Sequence, residues 1–370
     1  MRVVDLRPRS VRLVSSLWGR GPVVRGQGEN PSPEPNLATR LAGRVADGFV
    51  GRRVSDRQQI GPVPGIVSVG NLALGGTGKT PVVAALGKDL AAAGWKGAVL
   101  TRGFGSPLAG PFTVDRANAL AGDEARLMAM SLSSCGWPVI QARRRVQGLD
   151  FLMEKFPDTG IVIVEDGHQT ARLGRHLDVV ILDAWTVESV GDSRIVRPVT
   201  GPVFPFGPWR ESAAGAARAG IWVLETDQEV PAAGETGQAV AAFQRKSVLR
   251  CPHSGLQVEP PTGRAAVLSG IARPESFEKG LDKILINDPV LAVRCADHVE
   301  YLPRRVAQIA KEYRESKADF LVTTAKDWVK LEPFWPGGLP VLVADLEITW
   351  GRAKTLPDLV GERLEALAGS

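Results

Sequence analysis

The feature that most constrains this chain is a glycine-rich loop between two segments of different periodicity. Ile66–Val69 is a short apolar run typical of a buried strand, and Pro81–Ala93 has the residue spacing of a helix. Glycines let a backbone turn so that several N–H groups face one anion, and the following helix adds its positive N-terminal end. We therefore predict a phosphate-binding loop, whose nucleotide-binding residues are Gly75, Gly76, Thr77, Gly78, Lys79 and Thr80.

The end of this loop follows the Walker A pattern, GxxxxGK[ST]. Lys79 is predicted to contact the β- and γ-phosphates of a nucleotide, and Thr80 offers a hydroxyl to Mg²⁺. Ala73 occupies the position at which the pattern has its first glycine. The loop predicts that a nucleoside triphosphate binds, whereas the chemistry depends on acids at the carboxyl ends of other strands.

The rest of the chain alternates between short apolar runs and helical segments. Such alternation is typical of a parallel sheet covered by helices on both faces. A length of 370 residues predicts two or three domains. We predict an α/β fold with a P-loop NTPase-like parallel-sheet core over residues 61–212, a second, smaller α/β domain over residues 213–370 and a helical N-terminal arm over residues 1–60.

The N-terminal arm carries most of the positive charge. Residues 1–60 contain eleven Arg against five Asp or Glu, whereas the whole chain has a net charge of +5. From Ser10 to Arg20 the apolar residues recur every three or four positions, which predicts a helix with one apolar face, and a second short helix is predicted at Leu37–Val50. A basic amphipathic arm favours an anionic surface, either phospholipid or nucleic acid, and a solvated tail is the alternative that charge alone leaves open.

Two further patterns bear on location. No run of about 18 apolar residues predicts a membrane-spanning helix, and Arg7, Pro8, Arg9 and Arg12 interrupt the stretch that a signal peptide would keep apolar. The three cysteines form no CxxC pair, so neither a zinc ribbon nor a disulfide framework is expected. The cysteine pattern favours a reducing cytoplasm.

Two acids follow a strand that is predicted to be buried on both faces. Ile161–Val164 shows no polar alternation, and Glu165 and Asp166 come directly after it. In P-loop enzymes a carboxylate at this position holds Mg²⁺ opposite the loop threonine. We therefore predict a metal site formed by Thr80, Glu165 and Asp166, with an acidic loop cap as the alternative interpretation.

Residue type alone leaves the roles of Asp123 and His298 open. Asp123 lies near the start of a helix predicted at Ala121–Ser131, where a capping carboxylate is common and a base or metal ligand is the alternative. His298 has no second His at the spacing of zinc ligands, and a lone His is usually structural. The pattern by itself favours a cap at Asp123 and a structural role for His298.

Nine motifs, taken in order, resemble those of one family. They are Val69-Gly-Asn71 with the loop to Pro81, Arg102-Gly-Phe-Gly105, Gly122-Asp-Glu124, Arg143-Arg144, Glu165-Asp-Gly-His-Gln169, Phe204-Pro-Phe-Gly-Pro-Trp-Arg-Glu211, Gly270-Ile-Ala-Arg-Pro-Glu-Ser-Phe277, Asp297-His298 and Thr324-Ala-Lys-Asp-Trp-Val-Lys330. Over about residues 62–345 the chain resembles the tetraacyldisaccharide 4'-kinases, the lipid A 4'-kinase family. Ala73 fits this resemblance, because the loop of the family also lacks that glycine.

The resemblance implies an activity and a location. The family transfers the γ-phosphate of ATP, with Mg²⁺, to the 4'-hydroxyl of an acylated glucosamine disaccharide 1-phosphate and so forms lipid IVA. It acts as a peripheral protein at the cytoplasmic face of the bacterial inner membrane, to which residues 1–20 would attach this chain. Its smaller domain closes over the nucleotide. Neither nucleic acid nor an obligate protein partner is expected.

The resemblance also implies roles for single residues. Asp123 matches the catalytic aspartate of the family and His298 its partner histidine, which reverses the preference for a simple cap. Asp166 and Glu165 match the paired aspartates, and Asp166 is predicted to act in catalysis as well as in metal binding. The other residues predicted to contact substrate or phosphate are Asn71, Arg102, Arg143, Arg144 and Gln169.

One loop departs from the family pattern. The family usually reads Asp-Asp-Gly-Phe-Gln-His where this chain reads Glu165-Asp-Gly-His-Gln-Thr170, and Val299 replaces a second histidine. Two other hypotheses therefore stay open. One is a P-loop kinase or ATPase that acts on another small substrate, and the other is a scaffold that binds nucleotide and lipid without catalysis.

Overall fold

The computed structural model describes residues 1–7, 65–74, 78–115, 118, 120–170, 173–271 and 274–368. In these ranges the strands are β1 (Arg2–Asp5), β2 (Gly65–Asn71), β3 (Gly97–Thr101), β4 (Phe112–Thr113), β5 (Val139–Gln141), β6 (Ile161–Glu165), β7 (Leu177–Leu182), β8 (Trp185–Val190), β9 (Ser193–Pro198), β10 (Ile221–Glu225), β11 (Ala239–Arg250), β12 (Ala265–Ser269), β13 (Leu291–Arg294), β14 (Phe320–Thr324) and β15 (Val341–Trp350). The α-helices are α1 (Lys79–Ala92), α2 (Asp123–Leu132), α3 (Arg145–Lys155), α4 (Pro274–Leu281), α5 (Pro303–Glu315), α6 (Ala325–Leu331) and α7 (Leu356–Ala368).

The chain divides into two compact units. The larger unit comprises residues 20–245 and 348–370, and the smaller unit comprises residues 1–19 and 246–347. In the larger unit the strands lie in the order β11-β10-β7-β2-β6-β3-β5-β4, and each pair is parallel except β4 with β5. In the smaller unit the order is β1-β13-β12-β14-β15, and every pair is parallel. The predicted α/β class is confirmed in both units.

Side chains on the two faces of the larger sheet enter different cores, which explains its unbroken apolar strands. On one face Val67 and Ile163 pack with residues of α1, α2 and α7. On the other face Ile66 and Val162 pack against α3. Because the strands are parallel, their carboxyl ends meet at one edge of the sheet, where an α/β protein binds its ligands. This edge carries the end residues of β2, β3, β5, β6, β7 and β10.

The division between the units differs from the predicted domain boundaries. We expected the core to end at residue 212, but β10 and the first part of β11 complete the larger sheet, with Ile221 of β10 in register with Val179 of β7. Helix α7 also belongs to the larger unit, because its apolar residues join the core formed with α1. The sequence pattern did not predict α7, β4, the long β11 or the antiparallel hairpin β8–β9.

The start of the predicted helical arm is a strand. Arg2–Asp5 pairs with β13, with Val3 opposite Ala292 and Val4 opposite Val293. Adjacent β-branched valines favour extended backbone, which explains why this end joins a sheet. The helices predicted at Ser10–Arg20 and Leu37–Val50 lie outside the described residues. Within the ranges given above, no helix is both long and apolar enough to cross a membrane.

Candidate active site

The predicted phosphate loop connects β2 to α1 at the ligand-binding edge of the larger sheet. Gly78 is the N-cap of α1 and has φ 78°, a left-handed conformation that glycine adopts without steric cost. Lys79 and Thr80 form the first turn of α1. Gly75, Gly76 and Thr77 lie outside the described residues. The described residues therefore show the predicted strand before the loop and the predicted helix directly after Gly78.

Three residues predicted from sequence meet beside this turn. The buried Lys79 donates from Nζ to Oδ1 of Asn71 over 2.9 Å and lies 3.5 Å from Oδ1 of Asp166. Asn71 is itself held, because its amide donates to the carbonyl of Ala73 over 2.9 Å and to Oδ2 of Asp183 over 3.1 Å. The ammonium group is thus positioned next to a carboxylate at the start of α1, where phosphate binds in P-loop proteins.

Asp166 has an unusual backbone and a second cationic partner. Its φ of 51° is rare for a residue with a Cβ, and such strain is concentrated at functional sites. Nη1 of Arg210 donates to its Oδ1 over 2.8 Å. Burial alone would raise the pKa of this carboxyl, but the charges of Lys79 and Arg210 outweigh burial and lower it. Asp166 is therefore held ionised.

Glu165 lies in a different environment although it is the next residue. Its carboxylate is buried and accepts a hydrogen bond from Oγ1 of Thr101 over 2.9 Å. Burial, together with the charges of Asp166 and Glu124, raises its pKa to about 7. Glu165 thus titrates near neutral pH while Asp166 stays ionised, and such a separation of pKa values is common in functional carboxylate pairs.

Gln169 connects these residues to the segment before the short helix at Ala213–Arg218. Its amide nitrogen donates to the carbonyl of Asn71 over 2.9 Å and to Oε1 of Glu211 over 2.7 Å. Its amide oxygen accepts from Nη1 of Arg210 over 3.0 Å. Gln169 therefore positions Arg210, which in turn contacts Asp166. Its own amide is used in contacts within the protein, so its predicted contact with a ligand stays a prediction.

Asp123 is not the N-cap of its helix. Gly122 occupies that position, in extended backbone, and its N–H donates to Oε1 of Gln141 over 2.8 Å. Asp123 and Glu124 form the first turn of α2, where negative charge stabilises a helix. Because the charge of Glu124 acts on Glu165, this turn lies near the acid pair. Gly122 therefore takes the N-cap position that residue type favoured for Asp123, and a role of Asp123 as a base stays a prediction.

The predicted arginines differ in where they point. Arg102, Arg143 and Arg144 are exposed, and Nη2 of Arg143 makes a long 3.4 Å hydrogen bond to the carbonyl of Ser106. The buried Arg145 instead donates to the carbonyl of Glu165 over 2.7 Å. Its burial lowers the pKa of the guanidinium, and the charges of Glu165 and Asp166 oppose that effect. The structure thus adds Arg145 to the acid pair, while a ligand role for the other three stays a prediction.

His168, which replaces an aromatic residue of the family pattern, is fully buried. Its Nε2 lies 3.0 Å from the carbonyl of Gly215 and 3.0 Å from Nη2 of Arg218. A Cβ at Gly70 would lie 2.6 Å from the Cβ of His168, so β2 needs glycine at this close approach. His168 therefore packs between β2 and the short helix at Ala213–Arg218 and supports the loop that follows β6.

His298 lies in the smaller unit, after β13. Its φ is 55°, and its N–H donates to Oδ1 of Asp297 over 3.0 Å. Lys326 Nζ donates to the same oxygen over 2.8 Å and lies 3.3 Å from Nε2 of His298. The buried Asp327 of α6 connects neighbouring segments of the smaller unit. It accepts hydrogen bonds from the N–H of Gly270 over 2.9 Å and from the hydroxyl of Tyr301 over 2.9 Å. The pairing of His298 with Asp123 stays a prediction.

Comparisons with known proteins identify the family. The family model described as Tetraacyldisaccharide-1-P 4'-kinase (LpxK) matches residues 43–365. A tetraacyldisaccharide 4'-kinase from Phenylobacterium zucineum is 32% identical over 78% of this chain and 82% of its own length. One from Bdellovibrio bacteriovorus is 32% identical over 82% of this chain and 90% of its own. The chain belongs to the tetraacyldisaccharide-1-P 4'-kinase family.

A solved member of the LpxK family shows the same fold. The crystal structure of LpxK from Aquifex aeolicus in complex with ATP superposes with a TM-score of 0.65 and 24% identity, covering 88% of this chain and 98% of that chain. Family membership confirms the predicted family and the predicted class of enzyme, a kinase. The altered loop at Glu165–Thr170 thus belongs to a member of the family rather than to an unrelated P-loop protein.

Proposed function

We propose that this chain transfers the γ-phosphate of ATP to the 4'-hydroxyl of tetraacyldisaccharide 1-phosphate. One observation carries the proposal. In a chain of this kinase family, Lys79 and Asp166 lie 3.5 Å apart at the junction of the phosphate loop and α1. A cation for the phosphates and an ionised carboxylate for their metal are the two charges that phosphoryl transfer needs first.

The residues present fit Mg²⁺ that arrives on ATP. Within the part of the chain that the structure describes, no three His, Cys, Asp or Glu side chains are grouped to hold a metal by themselves. Mg²⁺ in kinases usually takes one or two protein carboxylates and completes its shell with phosphates and water. Asp166 would be its carboxylate ligand and Thr80 its hydroxyl ligand, with Glu165 beside them. Bound Mg²⁺ would neutralise charge on the β- and γ-phosphates.

The chemical step balances with groups of this chain. The 4'-oxygen of the sugar forms a bond to the γ-phosphorus, and the bond from that phosphorus to the β–γ bridging oxygen breaks. Asp123 accepts the proton of the hydroxyl, and ADP leaves. Lys79 stabilises the charge on the transferring phosphoryl group. Transfer of labelled γ-phosphate from ATP to the lipid tests the proposal, whereas ATP turnover that ignores the lipid would support another acceptor.

The basic arm supports attachment to an anionic membrane surface. We place the protein peripherally at the cytoplasmic face of the bacterial inner membrane, where its lipid substrate would be met. Residues 1–60 carry an excess of six positive charges, and arginines near an anionic leaflet contribute about 1 kcal/mol each to binding. The Arg residues of the arm beyond β1 are the ones to change, since Arg2–Asp5 forms part of a sheet.

Replacing Arg9 and Arg12 by Gln is expected to weaken binding to vesicles that contain anionic phospholipid. Two lost charges correspond to about 2 kcal/mol, or roughly 30-fold in affinity, and the loss shrinks as salt rises. Sedimentation with vesicles measures the change. The Arg9→Lys, Arg12→Lys variant keeps the charge and should bind like the parent chain. An unchanged pelleting fraction for the Gln variant would contradict attachment through this arm.

A further inference from the structure

Arg245 lies at the ligand-binding edge of the larger sheet and was not predicted from sequence. It follows Phe243 on β11 by two residues, and Phe243 is in register with Glu225, the last residue of β10. Nε of Arg245 donates to Oε1 of Glu225 over 2.7 Å, and Nη2 donates to the other carboxylate oxygen. Its guanidinium carbon lies 5.8 Å from the centre of the Phe243 ring. The side chain is therefore held in one orientation by a two-pronged ion pair and by packing.

The held guanidinium lies against the phosphate loop. A Cβ at Gly78 would collide with it, and Nη1 is the atom that such a Cβ would meet first. Two of the three guanidinium nitrogens serve Glu225, so the third is the one that faces the loop. Gly78 is the N-cap of α1, so this nitrogen lies at the point where the helix leaves its backbone N–H groups for an anion.

Glu225 balances the charge of Arg245 on one side of the guanidinium, whereas Nη1 on the other side faces the positive end of α1. The N-terminus of a helix is its positive end and repels a positive side chain. Lys79 is the next residue, and its carboxylate neighbour, Asp166, is already shared with Arg210. Two basic side chains and the positive end of α1 thus converge near one glycine. Phosphate oxygens would satisfy all three at once.

We propose that Arg245 binds a phosphate of the nucleotide and that Glu225 positions it to do so. The proposal rests on the proposed function only in taking ATP as the nucleotide. Arginine suits the role because its planar fork engages a carboxylate on one side while it presents a further N–H to a phosphate. Glu225 is a positioning residue, since it acts through Arg245.

The test measures binding of Mg²⁺·ATP and of Mg²⁺·tripolyphosphate to the full chain by titration calorimetry, without lipid. Arg245→Gln should raise the Kd of both ligands by about 10- to 100-fold, as expected for loss of a charge-assisted hydrogen bond. Arg245→Lys keeps the charge but loses the fork and should fall between. Arg197→Gln is the matched control, because Arg197 is also an arginine paired with carboxylates, those of Glu188 and Glu235, but lies on β9. The Kd values of the Arg197→Gln variant for both ligands should stay within about twofold of the parent chain.

Variants at Glu225 test whether this residue affects ATP binding through Arg245 or independently of it. If Glu225 acts through Arg245, the Glu225→Gln, Arg245→Gln double variant should bind ATP no more weakly than Arg245→Gln alone. Additive losses would overturn the assigned role of Glu225. An unchanged Kd for tripolyphosphate in Arg245→Gln would overturn phosphate binding, whether ATP binding changes or not. Since no lipid is present, these outcomes do not depend on whether the lipid is phosphorylated.

Discussion

Replacing Asp123 by Asn is expected to lower kcat for lipid phosphorylation by about 10²- to 10⁴-fold, the usual contribution of a general base. Asn has nearly the same shape, but its side-chain amide does not accept the proton of the attacking hydroxyl. The residue lies in the first turn of α2, directly after Gly122, the N-cap. It opens a helix whose next acid, Glu124, is near enough to raise the pKa of Glu165.

Binding of ATP to the Asp123→Asn variant should change little, because Lys79 and the glycine-rich loop, and not Asp123, are the proposed phosphate ligands. Glu124→Gln is the neighbouring control. It removes a first-turn acid of the same helix but leaves the proposed proton acceptor in place, so the change in kcat should stay below about tenfold, well under the contribution of a general base. Single-turnover rates and nucleotide titrations on both variants check this. If Asp123→Asn kept more than a tenth of the parent rate, another group would have to accept the proton.

The largest expected loss of stability follows the replacement of Asp178 by Asn. Asp178 is buried on β7, accepts from the Ser68 hydroxyl and from Nε of Arg175 over 2.6 Å, and lies 3.9 Å from Nδ1 of His168. The Asn variant leaves the buried charge of Arg175 without its carboxylate. Breaking a buried pair in this way costs about 3–5 kcal/mol of the free energy of unfolding.

The same cost has a defined pH dependence. Burial alone would raise the pKa of Asp178, but hydrogen bonds and charges from His168, Arg175 and Ser68 outweigh burial and lower it well below its ordinary value. A carboxylate with a lowered pKa in the folded chain stabilises that chain above its unfolded pKa of about 3.9 and loses the effect as pH falls through the folded value. The difference between parent and Asn variant should therefore be full at pH 7 and shrink in acid.

Urea unfolding at pH 7 measures the loss, with Asp345→Asn as its control. Asp345 also pairs with an arginine, Arg250, at 3.2 Å, but its side chain is 42% exposed. A half-exposed pair contributes about 0–1 kcal/mol, so the free energy of unfolding of the control should be close to that of the parent chain. Equal losses for the two variants would show that the network around Asp178 does not stabilise the fold as the structure indicates.

Periodicity predicted most of the α/β framework. Phe320–Thr324 and Ala265–Ser269 are short apolar runs of the kind that predict strands, and a proline at the first turn, Pro274, is typical of the start of a helix such as α4. The long β11 was missed because four consecutive polar residues, 244–247, interrupt its apolar residues, and such a polar run is typical of a loop. The sequence also did not predict which unit contains β10, because β10 joins the larger sheet by pairing with β7, a strand about forty residues earlier in the chain.

Motif spacing predicted the charged centre of the site less completely. Asn71, Lys79, Asp166 and Gln169 come together as expected. Arg145 and Arg210 were missed because the sequence does not show which arginines are buried or which lie close to the acid pair. The available signal for Arg210 was its place in the motif Phe204–Glu211, and for Arg145 its position directly after the Arg143-Arg144 pair. Arg245 lies outside every motif considered.

Transfer of labelled γ-phosphate from ATP to a tetraacylated glucosamine disaccharide 1-phosphate, in mixed micelles with Mg²⁺, tests the central claim most directly. Lys79→Ala is the control, because it removes the cation that contacts Asn71 and Asp166. We predict a labelled lipid with the parent chain and none above background with Lys79→Ala. A parent chain that binds ATP but yields no labelled lipid would contradict the account and favour another acceptor, or a scaffold that has lost catalysis.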